Sequence, residues 1–140
     1  MSVPVLDIVR SWQPLADALT SDGTLRVYPS DAPHDATRPL IVYSQTDKQP
    51  LTPFAHAPDA EYNRIAFDCW ATERDDAMHI ADMLRDAFDH YLNGEPFGYM
   101  ASGFAEQFDP ESRAFVVGFD WGIWTQRAGP PLQRPSASTT

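Results

Sequence analysis

Apolar positions recur along this chain at two periods, and each period predicts a different element. Between Ser2 and Thr20, the residues Val5, Ile8, Trp12, Leu15, Ala16 and Leu19 fall at helical spacing. Ser2 suits the cap and Pro4 the first turn, where a missing N–H costs nothing. Pro14 interrupts the stripe and predicts a kink or two short helices. Asp22-Gly23 closes the segment as a turn.

The period then shortens. Leu25 to Tyr28 predicts a short strand stopped by Pro29, and Ser30 to Pro39, rich in Pro, Asp and Thr, predicts a loop. Leu40 to Thr46 is β-branched and aromatic, hence a strand. Asp47 to Asp59 holds Pro50, Pro53 and Pro58 beside the apolar Leu51 and Phe54, which predicts a long exposed loop. Glu61 to Ala71 alternates cleanly, with Ile65, Phe67, Cys69 and Ala71 on one face and Arg64, Asp68 and Trp70 on the other.

Thr72-Glu73-Arg74-Asp75 resembles a capping box and opens a helix running to about Leu92. Its apolar stripe is Ala77, Ile80, Ala81, Leu84, Ala87, Phe88 and Tyr91. Asn93-Gly94 supplies residues that accept left-handed geometry at its end. Phe97 to Phe108 and Arg113 to Gln126 then predict a long hairpin around the turn Asp109-Pro110-Glu111-Ser112. In the second arm Phe115, Val117, Phe119, Trp121 and Ile123 share one face, and Gly118, Asp120, Gly122 and Trp124 the other. The predicted order, α-β-β-β-α-β-β, is an α+β domain: a mixed or antiparallel sheet of four or five strands with helices packed on one face. Residues 1–127 form the single domain, and the Pro- and Ser-rich 128–140 is predicted to be disordered.

Composition narrows the function. A chain of 140 residues with 43% hydrophobic residues has core enough to fold as one domain. The single cysteine excludes an internal disulfide and any multi-cysteine metal site, and a reducing compartment is the simplest reading. The N-terminus carries no signal-peptide pattern and no apolar run is long enough for a membrane span, so a soluble cytosolic protein is expected. The net charge of −10 argues against binding to nucleic acid, which relies on lysine and arginine.

Candidate chemistry is sparse. There is no Gly-x-Ser-x-Gly elbow, no phosphate loop and no His-Glu-x-x-His. His34 and His56 fall in predicted loops, and His79 and His90 lie three helical turns apart, too far to share a metal. Cys69 belongs to an apolar strand face and is expected to be buried. The acidic helix face of Asp75, Asp76, Asp82, Asp86 and Asp89 lacks the calcium-loop pattern and is expected to be solvated. Asp68 and Asp120, near Trp70 and Trp124, raise the one enzymatic reading, a carboxylate pair of the kind glycosidases use. The competing reading pairs each with Arg64 or Arg113 on a solvated or interface-facing side, and it is the one adopted. No catalytic residue, cofactor or metal is therefore expected.

Trp121 and Trp124 stand on opposite faces of one strand, and Trp70 lies opposite a core face. A sheet apolar on both sides, with few helices to cover it, predicts a partner on the second side. The alternative is that the N-terminal helix or a loop covers that side within the chain.

The ordered set Arg26-Val27-Tyr28-Pro29, Pro39 to Ser44, Tyr62 to Thr72, the long helix, and Phe119-Asp120-Trp121-Gly122-Ile123-Trp124 resembles the tail terminator, or tail completion, proteins of long-tailed phages and prophages. The resemblance spans roughly Val5 to Gln126, and its most specific piece is the strand Arg64-x-x-x-Asp68-x-Trp70-Ala71 leading directly into the long helix. It implies a virion structural protein, assembled in the host cytoplasm. Such a protein forms a ring, usually a hexamer, on the head-proximal end of the tail tube, ends tube polymerisation and offers a head-tail joining surface. The implied partners are copies of itself, the tail tube protein and the connector, with DNA crossing the ring without specific binding. By analogy Leu51 and Phe54 of the loop and Trp70 and Trp124 of the second face meet neighbours. A connector or tail tube subunit is the alternative, and a small hydrolase using Asp68 and Asp120 the remoter one.

Overall fold

The computed structural model describes residues 5–33, 36–50, 60–91, 98–100 and 102–126, with the side chains of 48–50, 60–61, 91, 98–99 and 124–126 excepted. The N-terminal stripe forms two helices, α1 (Val5–Ser11) and α2 (Gln13–Leu19). Trp12 between them is extended, and Pro14 lies in the first turn of α2, where it has no helical hydrogen bond to lose. A two-residue turn follows, with positive φ at both Asp22 and Gly23, and joins β1 (Thr20–Ser21) to β2 (Thr24–Leu25) as a small antiparallel hairpin.

The main sheet is built from β3 (Val27–Pro29), β4 (Leu40–Pro50), β5 (Ala60–Ala71), β6 (Gly98–Met100), β7 (Ala105–Asp109) and β8 (Ala114–Gln126). Its order is β3-β4-β5-β8-β6, and β7 shares the outer edge of β8 with β6, so six strands fill five positions. β3 runs parallel to β4 and every other pairing is antiparallel, which makes the sheet mixed. The helix α3 (Arg74–Tyr91) connects β5 to the later strands, with Asp75 and Asp76 in its first turn, where negative charge suits a helix start, and His90 in its last.

α3 lies on β5 and β8, and α1 and α2 lie on α3, so the described helices share one side of the sheet. The core forms between them. Ala77, Ile80, Ala81, Leu84, Ala87 and Phe88 of α3 meet Ile65, Phe67, Cys69, Val117, Phe119, Trp121 and Ile123, with Val5, Ile8, Val9, Leu15 and Leu19 closing the side. Phe88 is the aromatic centre: its ring is 5.1 Å from Trp121, stacked, and 5.2 Å from Phe67, tilted.

Several boundaries differ from expectation. The predicted strand Leu25 to Tyr28 breaks at Arg26 into β2 and β3, and Pro29, expected just past the strand, is the last residue of β3. Its position is tolerable because β3 is an edge strand. Arg26 stands at the break, where its N donates to Leu19 O at 2.9 Å and its O accepts from Ile41 N at 3.0 Å. Its side chain is buried, and Nε donates to Pro39 O at 2.8 Å, Nη2 to Ala18 O at 3.0 Å, and Nη1 to Ser21 Oγ. Asp47 to Pro50, expected in a loop, extend β4 past a bulge between Gln45 and Asp47 because β5 is long enough to pair with them. Of the arm expected over Phe97 to Phe108, the described residues form two short strands, β6 and β7, both against β8. Asn63, fully buried on the core side, is a polar residue that the alternation did not single out. Gln45 Nε2 donates to its Oδ1 at 2.7 Å, and its Nδ2 donates to Ile123 O at 3.4 Å.

Candidate functional site

The pairing register fixes what stands on the side of the sheet away from the helices. Leu40, Trp70 and Val116 form one row across β4, β5 and β8; Val42, Asp68 and Gly118 form the next; Ser44, Ala66 and Asp120 the next; Arg64 and Gly122 follow. Paired residues share a face, and the core rows Ile41–Cys69–Val117 and Tyr43–Phe67–Phe119 lie on the other. None of the described helices lies on this second face, since α1 and α2 pack with α3 on the first. The N-terminal helices therefore leave it uncovered.

Leu40 and Val116 are nonetheless buried, Val42 and Trp70 are half-buried, and Asp68 is exposed. The burial at this end comes from two flanking segments. Asp31, Ala36 and Arg38 stand on one side and the β7–β8 turn on the other, and Arg38 Nη1 donates to Ser112 O at 3.0 Å. Between them lies a cavity of about 730 Å³ floored by Leu40, Val42 and Trp70, with Asp109 and Glu111 on its rim. A smaller cavity of about 210 Å³ adjoins it, lined by Asp68, Trp70, Gln107, Asp109 and Val116. The indole N–H of Trp70 has no acceptor among the described residues.

Farther along the face, Arg64 Nε donates to Asp120 Oδ2 at 2.8 Å, and Asp120 N donates to Ser102 Oγ at 3.0 Å. Asp68 and Asp120 are diagonal neighbours, because Asp68 stands opposite Gly118 and Asp120 opposite Ala66. Partial burial pushes the Asp68 carboxyl above its ordinary range, and the nearby Asp120 charge adds to the shift. The ion pair with Arg64 is one of the pairings expected for Asp120. Cys69, fully buried on the core side, has its thiol pushed up by burial and by the charge of Asp68, which disfavours the reactive thiolate.

Of the four residues singled out for contacts with neighbours, Trp70 lies on the second face and lines both cavities. Trp124 stands opposite Tyr62 in the register, and its side chain lies outside the described residues. Leu51 and Phe54 lie outside them altogether, as do His34, His56 and the C-terminal 128–140. His90 packs its ring 5.0 Å from Trp12, and His79 is exposed on α3. Among the described residues no three His, Cys, Asp or Glu side chains group as metal ligands, and no helix is long and apolar enough to cross a membrane.

Sequence reasoning overlooked Leu40, Val42 and Val116 as the apolar floor of the second face. The signal was present as two unbroken apolar runs, Leu40-Ile41-Val42 and Phe115-Val116-Val117. A strand with apolar residues at consecutive positions is covered on both sides. Compared with known proteins, the chain matches no family model and no curated protein.

Proposed function

We propose that this chain is a structural virion protein that forms a ring on the head-proximal end of a phage tail tube, ending tube polymerisation and offering a surface to the head's connector. The observation that carries the reading is the second sheet face: the apolar residues Leu40, Val42, Trp70 and Val116 lie where no described helix packs, covered only in part by residues 31–38 and the β7–β8 turn, with a cavity left open between those two segments. Such a face suits a protein that works by contact with neighbours. The ordered sequence resemblance to tail terminators names the neighbours as copies of the chain, the tube protein and the connector. The net charge of −10, multiplied around a ring, would keep DNA from adhering as it crosses the channel.

Electron microscopy of the purified protein mixed with tail tubes tests this. Tubes of defined length with a ring at one end are the expected result. Protein that never touches the tubes would overturn the reading. Capture of a connector in preference to tubes would move the chain to the connector side of the same joint.

A further inference from the structure

The cavity at the Trp70 end of the second face is acidic as well as apolar. Asp31, Asp109 and Glu111 stand around a floor of Leu40, Val42 and Trp70, and Asp68 lines the adjoining space, against one cation, Arg38, among the described lining residues. An aromatic floor with an acidic rim suits an extended, proline-rich and basic segment, whose rings pack on the indole while its cations meet the carboxylates. The chain contains one such segment. Residues 127–140 carry Pro130, Pro131 and Pro135 between and beside Arg127 and Arg134, and hold no acidic residue.

The geometry points to exchange of this arm between copies: residues 127–135 of one copy dock in the Trp70 cavity of the next. Distance excludes the same copy. β8 ends at Gln126, opposite Ala60, whereas the cavity lies at Val116, opposite Trp70. Those ten residues of strand span about 33 Å. Arg134 is eight residues past Gln126 and reaches about 25 Å in a polyproline conformation, even before the chain turns back. A second copy has no such limit. The contact is head-to-tail, since arm and cavity are different surfaces, and repetition gives a closed ring or an open filament. It goes beyond the ring reading above, because it needs no tail tube.

Sedimentation of full-length chains tests it. The wild type is expected to self-associate below about 100 µM. A cavity variant, Asp31→Lys with Glu111→Lys, and an arm variant, Arg127→Glu with Arg134→Glu, should each weaken association at least about tenfold and sediment as monomers. Mixed in equal amounts they should associate again, since the intact arm of the first meets the intact cavity of the second and the reversed arm of the second meets the reversed cavity of the first. A chain carrying all four changes should associate again through the reversed charges. A wild-type urea midpoint for the arm variant would separate loss of the contact from loss of the fold. A monomeric wild type, a variant that keeps wild-type assembly, or a mixture that stays monomeric would each overturn the contact. Tubes capped normally by the arm variant would remove the contact and leave the ring reading standing.

Discussion

The Tyr62 ring occupies the space that a side chain at position 122 would need. A Cβ on Gly122 would lie 2.5 Å from the tyrosine oxygen, 2.9 Å from Cε1 and 3.1 Å from Cζ. At Gly118, four residues back on the same face, a Cβ would lie 2.8 Å from Asp68 Oδ1. The close approach that these glycines permit is thus used by the chain's own β5 side chains. Glycine here shapes the second face from within.

The two sites should respond differently to alanine. At 118 the obstacle is the end of an exposed aspartate, which can rotate away, so Gly118→Ala should change stability by no more than about 0.5 kcal/mol. At 122 an aromatic ring must move on a pleated surface, and Gly122→Ala should cost about 1–3 kcal/mol. Urea unfolding of both variants against the wild type measures the difference.

Arg26 ties α2, the β1–β2 hairpin and the segment before β4 together through three neutral oxygens. Arg26→Ala removes a buried cation's bonds and leaves their acceptors unmatched, so a loss of about 2–4 kcal/mol is expected. Arg26→Lys should recover little of it, because one ammonium cannot reach three acceptors spread around a planar fork. Denaturant midpoints for the two variants should therefore lie close together and well below the wild type.

The elements that could be read from sequence are those whose apolar period is long and unbroken. α3 and β5 are examples, with Ala77, Ile80, Ala81 and Leu84 on one and Ile65, Phe67 and Cys69 on the other all reaching the core. The half-buried pair Arg64 and Asp120 was partly legible, with Arg64 and Arg113 both open as partners, because opposite charges on a shared sheet face tend to meet. Arg26 was not, since nothing local to a surface-type residue says that three carbonyl and hydroxyl oxygens from distant segments will surround it. The Trp70 cavity was half legible: the tryptophan stood out, but its walls come from residues 31–38 and 109–112, and the register bringing them together is a long-range fact.

The Asp68 carboxyl gives the second face a pH signature. Its folded pKa lies above the ordinary aspartate value, chiefly through burial and secondly through Asp120. Between those values the folded state holds the proton more tightly than the unfolded chain does. This carboxyl therefore contributes a stability that is present in acid and lost as pH rises through the raised value. Asp68→Asn should match the wild type near pH 3 and gain on it toward pH 7, by a margin kept small by solvent. Asp120→Asn should lower the Asp68 titration midpoint, read by carboxyl carbon NMR; an unchanged midpoint would show that the two charges do not interact.

Phe88 joins α3 to the sheet through Phe67 and Trp121 and is fully buried. Removing its ring leaves a cavity bounded by strands on one side and helix backbone on the other, neither of which can collapse to fill it. Phe88→Ala should therefore cost about 3–5 kcal/mol, a large part of what a domain of this size has. Phe88→Leu keeps most of the volume and should cost roughly half as much or less. Because the helices and the second face lie on opposite sides of the sheet, Phe88→Leu at a temperature where it stays folded should leave self-association unchanged. A parallel loss of association and stability would mean that the second face is shaped by the core behind it. Sedimentation and urea unfolding on the same sample separate the two outcomes.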